Sequence, residues 1–129
     1  MNLTVNITNI EMKVKLDNIA GDIIKDNETY TLIDNNFLNN LTLSQTILKP
    51  GQSTRGHSHV DQEEVYTFTD GNSIMIIDDI SHAAVPGDTF LIKAGSFHRV
   101  INKSTRSVCK FTCIFERYDR SGHDANYKK

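Results

Sequence analysis

The 129-residue sequence predicts an all-β chain folded as an antiparallel barrel or jelly roll. Three observations carry that expectation. Apolar residues recur with a period of two along most of the chain, turn residues break the pattern at short regular intervals, and a single stretch shows helical spacing. With 38% hydrophobic residues, a chain of this size buries roughly two thirds of its unfolded surface on folding, enough for one core without disulfides.

Taken in order, the N-terminal part is patterned more weakly than the rest. Leu3 to Thr8, the pair Ile23 and Ile24, and Thr29 to Ile33 read as strands, while Met12, Leu16 and Ile19 give Ile10 to Ile19 the spacing of a short helix. Leu41 to Leu48 alternates cleanly and stops at Lys49-Pro50-Gly51. Glu64 to Thr69 is closed by Asp70-Gly71-Asn72, after which Ser73 to Asp78 returns as its hairpin partner. His82 to Val85, Thr89 to Ile92, His98 to Asn102 and Ser107 to Arg117 complete the set. The expected organisation is one domain over residues 1–129: a core barrel over about 37–117, N-terminal strands over 1–36 and a C-terminal tail over 118–129. The asparagine pairs at 35–36 and 39–40 suit turns.

Charge narrows the classes of partner. Fourteen basic against sixteen acidic side chains leave a formal net charge of -2, and the basic residues are scattered, so no nucleic-acid footprint is expected. No apolar run approaches the roughly 18 residues of a membrane span, and residues 1–10 lack the pattern of a signal peptide. A cytoplasmic protein without a membrane partner is the expectation. Cys109 and Cys113, four apart on one strand, would have alpha carbons about 13 Å apart, too far to bridge. They read as small buried residues on the face that carries Phe111 and Phe115.

Chemistry concentrates between Gly51 and Asn102. His57 and His59, two apart on extended chain, project to one side and can meet a single cation. Glu64 shares a face with Tyr66 and Phe68, and Glu63 takes the other face. If the aromatic face is the interior, Glu64 is a carboxylate in an apolar barrel, which needs a cation or a proton. A strand, a glycine turn and a second strand deliver His98 from elsewhere in the chain.

These two stretches resemble the cupin superfamily. The first is similar to the motif G-x5-H-x-H-x4-E-x6-G at Gly51, His57, His59, Glu64 and Gly71; the second resembles G-x5-P-x-G-x2-H-x3-N at Gly87, Gly95, His98 and Asn102, with Lys93 at the proline position. The resemblance implies a double-stranded β-helix in which His57, His59, Glu64 and His98 hold one divalent transition metal. Three imidazoles and a carboxylate suit Mn, Fe, Co, Ni, Cu or Zn alike. It also implies a homodimer, since such barrels lend edge strands to a partner.

Around that site, Glu64 and Tyr66 are the candidate proton carriers, Tyr66 being equally readable as a packed aromatic. Arg55, just ahead of the histidine pair, is a candidate to hold an anionic small-molecule substrate at the mouth, and Lys93 is either a second such group or a solvated loop residue. Arg99 should face away from His98. His82, outside both motifs, reads as a surface or edge-strand histidine, His123 as solvated, and Asp78-Asp79 as a turn. The stretches Thr54 to His59 and Glu63 to Tyr66 look like those of cupin-type phosphoglucose isomerases. The best single expectation is therefore a metal-dependent isomerase or epimerase of a sugar or sugar phosphate. Iron- or copper-dependent dioxygenation and a non-catalytic binding module are the alternatives.

Overall fold

The computed structural model describes residues 12–117. Nine strands lie among them: β1 Asp22–Asp26, β2 Tyr30–Asn35, β3 Leu41–Leu48, β4 Glu64–Asp70, β5 Ser73–Ile77, β6 Ile80–Ala84, β7 Thr89–Ile92, β8 His98–Asn102 and β9 Cys109–Glu116. They form a six-stranded sheet in the order β1-β2-β3-β9-β4-β7 and a three-stranded sheet in the order β6-β5-β8, with every pairing antiparallel. The predicted strands from Leu41 onward are all present. The expected strand at Leu3 to Thr8, the tail over 118–129 and His123 lie outside the described residues.

Register decides which side chains face inward, because residues directly opposite each other share a face. Tyr66 pairs with Cys113, Phe68 with Phe111 and Glu64 with Phe115, while β3 adds Ser44 opposite Cys113 and Thr46 opposite Phe111. The strong alternation of β4 and β9 therefore becomes one interior wall. Phe68, Phe111, Leu48 and Cys113 meet Met75 and Val100 of the smaller sheet in a single apolar cluster. Phe68 and Phe111 have ring centroids 5.2 Å apart, and each buried aromatic contributes roughly 1.5–3 kcal/mol. Both cysteines are free and buried, as their strand face predicted. Burial pushes both thiols upward, Cys113 far above the usual range, so neither is a thiolate nucleophile.

Of the helix expected over Ile10 to Ile19, only Met12 is helical among the described residues, and the chain leaves helical geometry from Lys13 onward. Lys15 and Asn18 instead bond to each other across a tight turn, with Asn18 N donating to Lys15 O at 3.0 Å. The apolar triplet makes no common face: Ile19 is fully buried, while Met12 is 61% and Leu16 39% exposed. Two carbonyls of this segment, neither of which a helix ending at Ile19 would bond internally, are taken by side chains of the sheet. Thr112 donates to Leu16 O, and Gln45 Nε2 donates to Asp17 O at 2.7 Å. Gln45 and Thr112 are cross-strand partners on the outer face of β3 and β9, so this segment straps that face and covers two polar side chains.

Three motif residues explain themselves in the fold. Buried Asn102 donates through Nδ2 to Leu48 O, Lys49 O and Ser107 O and accepts Ser104 N at Oδ1, fastening β8 to the ends of β3 and the β8–β9 loop. Gly71 and Gly87 share the same left-handed φ of 97° but differ in space: a Cβ on Gly71 would lie 2.8 Å from Cys109 Cα and Val108 O, whereas one on Gly87 meets nothing within 4 Å. Gly87→Ala is therefore expected to cost about 1–2 kcal/mol, the backbone strain alone, and Gly71→Ala roughly 2 kcal/mol more. Equal denaturation midpoints for the two variants would refute the crowding argument.

Candidate metal centre and adjoining cavity

The β3–β4 connection brings the histidine pair to the barrel. It runs beside β8, with His57 N donating to His98 O at 3.1 Å and His98 N to His57 O at 2.9 Å. Gly56, at φ 89°, turns the chain immediately before His57, where a Cβ would strike the Phe97 ring at 2.4 Å. Gly95 N donates to His59 O at 2.7 Å, so the second motif's glycine turn holds the first motif's histidine. Asp78, at the turn expected for Asp78-Asp79, accepts Phe97 N at 3.1 Å and steadies the same turn from the other side.

The four side chains converge. One ligand atom from each of His57, His59, Glu64 and His98 lies within 4.8 Å of the others. Imidazole centroids are 4.6 Å apart for His57 and His59 and 4.5 Å for His57 and His98. Glu64 Oε1 is 2.9 Å from His59 Nε2 and 3.6 Å from His98 Nε2. Burial raises the Glu64 carboxyl, but the imidazoles of His59 and then His98 beside it overcome that and hold the pKa at about 2. The group is thus an anion at neutral pH.

The donor set fits a metal ion on two observations. His98 Nδ1 is 3.0 Å from Ser96 O, which can only accept, so Nδ1 carries the proton and Nε2 presents its lone pair inward. Glu64 Oε2 and His98 Nε2 are buried with no hydrogen-bond partner among the described residues. Each would be a penalty of about 1–3 kcal/mol if nothing met it, and one cation would meet both.

A cavity of about 480 Å³ adjoins the cluster and reaches it at His57 and Tyr66. Tyr66 stacks on Phe111 at 5.4 Å and stands edge-on to His98 at 5.4 Å, which fixes its ring between core and cluster. Arg55 lines the cavity, as its position before the histidines suggested. Lys93 does not: it is exposed in the turn between β7 and β8, its carbonyl accepting Ser96 N, and the cavity lies elsewhere. Sequence reasoning missed Lys25 and Arg99, which also line it. Arg99 does leave β8 on the side opposite His98, yet it reaches back to donate from Nε to Thr54 O and from Nη2 to Ser53 Oγ, both at 2.9 Å. His82 lies on edge strand β6, half-buried with its ring 5.5 Å from Phe90 and away from the cluster.

Comparison with known proteins agrees with this geometry. The cupin domain model matches residues 44–115, more than half of the chain. The chain belongs to the cupin family. Its cupin fold, an antiparallel double-stranded β-helix, is shared with solved structures of low identity. A cupin-superfamily sugar phosphate isomerase from Silicibacter pomeroyi aligns with TM-score 0.66 at 20% identity, covering 82% of this chain and 76% of that one. An RmlC-like cupin from Shewanella frigidimarina aligns with TM-score 0.67 at 14% identity, covering 80% and 89%. An uncharacterized protein of Methanocaldococcus jannaschii is 26% identical over 77 residues, 60% of this cupin and 62% of that protein. The chain thus spans less than two thirds of the length of that curated relative. Among the described residues no helix is long and apolar enough to cross a membrane.

Proposed function

We propose that this cupin is a metal-dependent enzyme acting on a small polar molecule, an isomerase or epimerase of a sugar or sugar phosphate. The observation that carries the reading is the junction of the His57, His59, Glu64 and His98 cluster with a cavity lined by many hydrogen-bonding side chains. The resemblance of Thr54 to His59 and Glu63 to Tyr66 to cupin-type phosphoglucose isomerases supports the reaction class, as does the fold shared with the Silicibacter isomerase. The four residues would hold a divalent transition metal, which when bound supplies a Lewis acid beside the cavity for a carbonyl or enediolate oxygen.

The chain's own residues supply the rest. Glu64, held ionised, suits a ligand and not a proton donor. Tyr66 is left as the group that moves a proton: its ring is locked by Phe111 and His98, and the residue borders the space a substrate would fill. Leu32 and Phe111 line the same cavity and keep water from the floor where the reacting carbons would lie, while Asn27, Thr29, Ser53 and Thr54 offer hydrogen bonds to hydroxyl groups. The many hydrogen-bonding groups of this lining favour a sugar over an apolar substrate.

The test loads the protein separately with each of the six candidate metals and follows sugars and sugar phosphates by proton NMR in deuterated water. Exchange of the proton alpha to the carbonyl, with interconversion of isomers, is expected. Tyr66→Phe should lower kcat by roughly 10²–10⁴-fold with metal content unchanged. Oxygen uptake without isomerised product would overturn the assignment in favour of oxygenation, and metal binding without turnover of any kind in favour of a binding module.

A further inference from the structure

The cavity has a charge imbalance that the metal cluster does not account for. Lys25, Arg55 and Arg99 line it, and no aspartate or glutamate does. Arg99 is anchored through two of its five donors to Thr54 and Ser53, which holds the guanidinium in one orientation before any ligand arrives. A concave site whose lining holds lysine and arginine but no carboxylate raises the local potential and selects an anion.

Lys25 reaches this site through an irregularity of β1. Asp22 pairs with Asp34 and Ile23 with Ile33, and regular alternation would then place Ile24 opposite Leu32. The register shifts between Ile23 and Lys25, so Lys25 pairs with Leu32 instead. Leu32 is buried on the inward face, and residues opposite each other share a face, so the bulge turns a lysine inward where an isoleucine would have gone. Among the described residues Lys25 has no carboxylate within ion-pair distance, in contrast to Lys49, which pairs with Asp26 at 3.3 Å.

We infer that Lys25, Arg55 and Arg99 form an anion-binding rim that receives the phosphate or carboxylate group of the substrate, with Lys25 the residue that sets the preference for a charged ligand. The inference deepens the proposed function and rests on its use of the same cavity. It concerns binding, so it can be read without turnover.

The experiment titrates full-length protein, metal-loaded and after chelation, with orthophosphate, with malonate and with neutral glycerol, reading affinity by calorimetry and location by amide shifts. Saturable binding of orthophosphate or malonate but not glycerol is expected in both metal states, the tighter of the two anions identifying the group received. Lys25→Gln should weaken it at least tenfold, Lys25→Arg should restore most of it, and Lys93→Gln, in an exposed turn outside the cavity, should leave it unchanged. Arg99→Lys should weaken it independently of Lys25. Anion binding that vanishes on chelation and ignores Lys25→Gln would overturn the rim while leaving the metal reading intact. Anion binding that depends on Lys25 in a protein that takes up no metal would support the rim and sink the metal-dependent reading. No saturable anion binding in either state would overturn the rim.

Discussion

Replacing His57 and His59 together by alanine is expected to abolish stoichiometric metal binding and with it any turnover. Two of four donors would be lost, and the survivors, Glu64 and His98, come from strands in different sheets with little else to hold them on one ion. The expected loss of affinity is at least 1,000-fold, which elemental analysis of the purified variant after dialysis would read as no metal against one equivalent in the parent. The fold should persist, because both histidines are outside the apolar cluster of Phe68, Phe111, Met75 and Val100. A circular dichroism spectrum and cooperative melt like those of the chelated parent chain are the accompanying controls. Retention of a full equivalent of metal by the double variant would show that the cluster is not the site.

Chelation of the metal is expected to lower Tm by about 10 °C or more. Glu64 opens β4 in the six-stranded sheet, His98 opens β8 in the three-stranded sheet, and His57 and His59 belong to the connection between β3 and β4. An ion on all four ties three separately folded pieces of backbone together and binds the native state alone. At a free concentration 1,000 times the dissociation constant this stabilises by about 4 kcal/mol. In a chain of this size each kcal/mol moves Tm by roughly 3–5 °C. Calorimetry of the loaded and chelated protein measures the difference, and the His57→Ala, His59→Ala variant should show none. Equal Tm values with and without a bound equivalent of metal would contradict the bracing role.

Much of the barrel was legible because its strands are written in alternation and closed by turn residues. Leu41 to Leu48 and Thr89 to Ile92 form over the stretches their patterns mark. The four candidate ligands were legible because spacing on extended chain fixes direction: His57 and His59 fall on one side, and Glu64 falls inside with Tyr66. The segment around Leu16 was not legible, because the sheet grips it by main-chain carbonyls, which every residue type possesses. Lys93, readable from the sequence either as a group at the mouth or as a solvated loop residue, stands exposed in its turn. Arg99 was assigned to the outer face by alternation, correctly for its Cα, yet a long side chain returned to the cavity rim through Thr54 and Ser53.

The bulge in β1 has a consequence for how such a site diverges among descendants of one ancestor. Lys25 faces Leu32 because the strand carries one residue more than its partner between Ile23 and Lys25. The identity of that extra residue hardly matters, since Ile24 is itself partly exposed. How it is accommodated does: were Ile24 drawn into regular pairing with Leu32, Lys25 would fall opposite Thr31 and its charge would pass to the outer face, whereas loss of the Ile24 codon would leave Lys25 opposite Leu32. Specificity in this barrel is thus open to change by closure of the bulge, or by a further insertion ahead of Lys25, at an edge strand, a route that comparison of aligned residues alone would pass over.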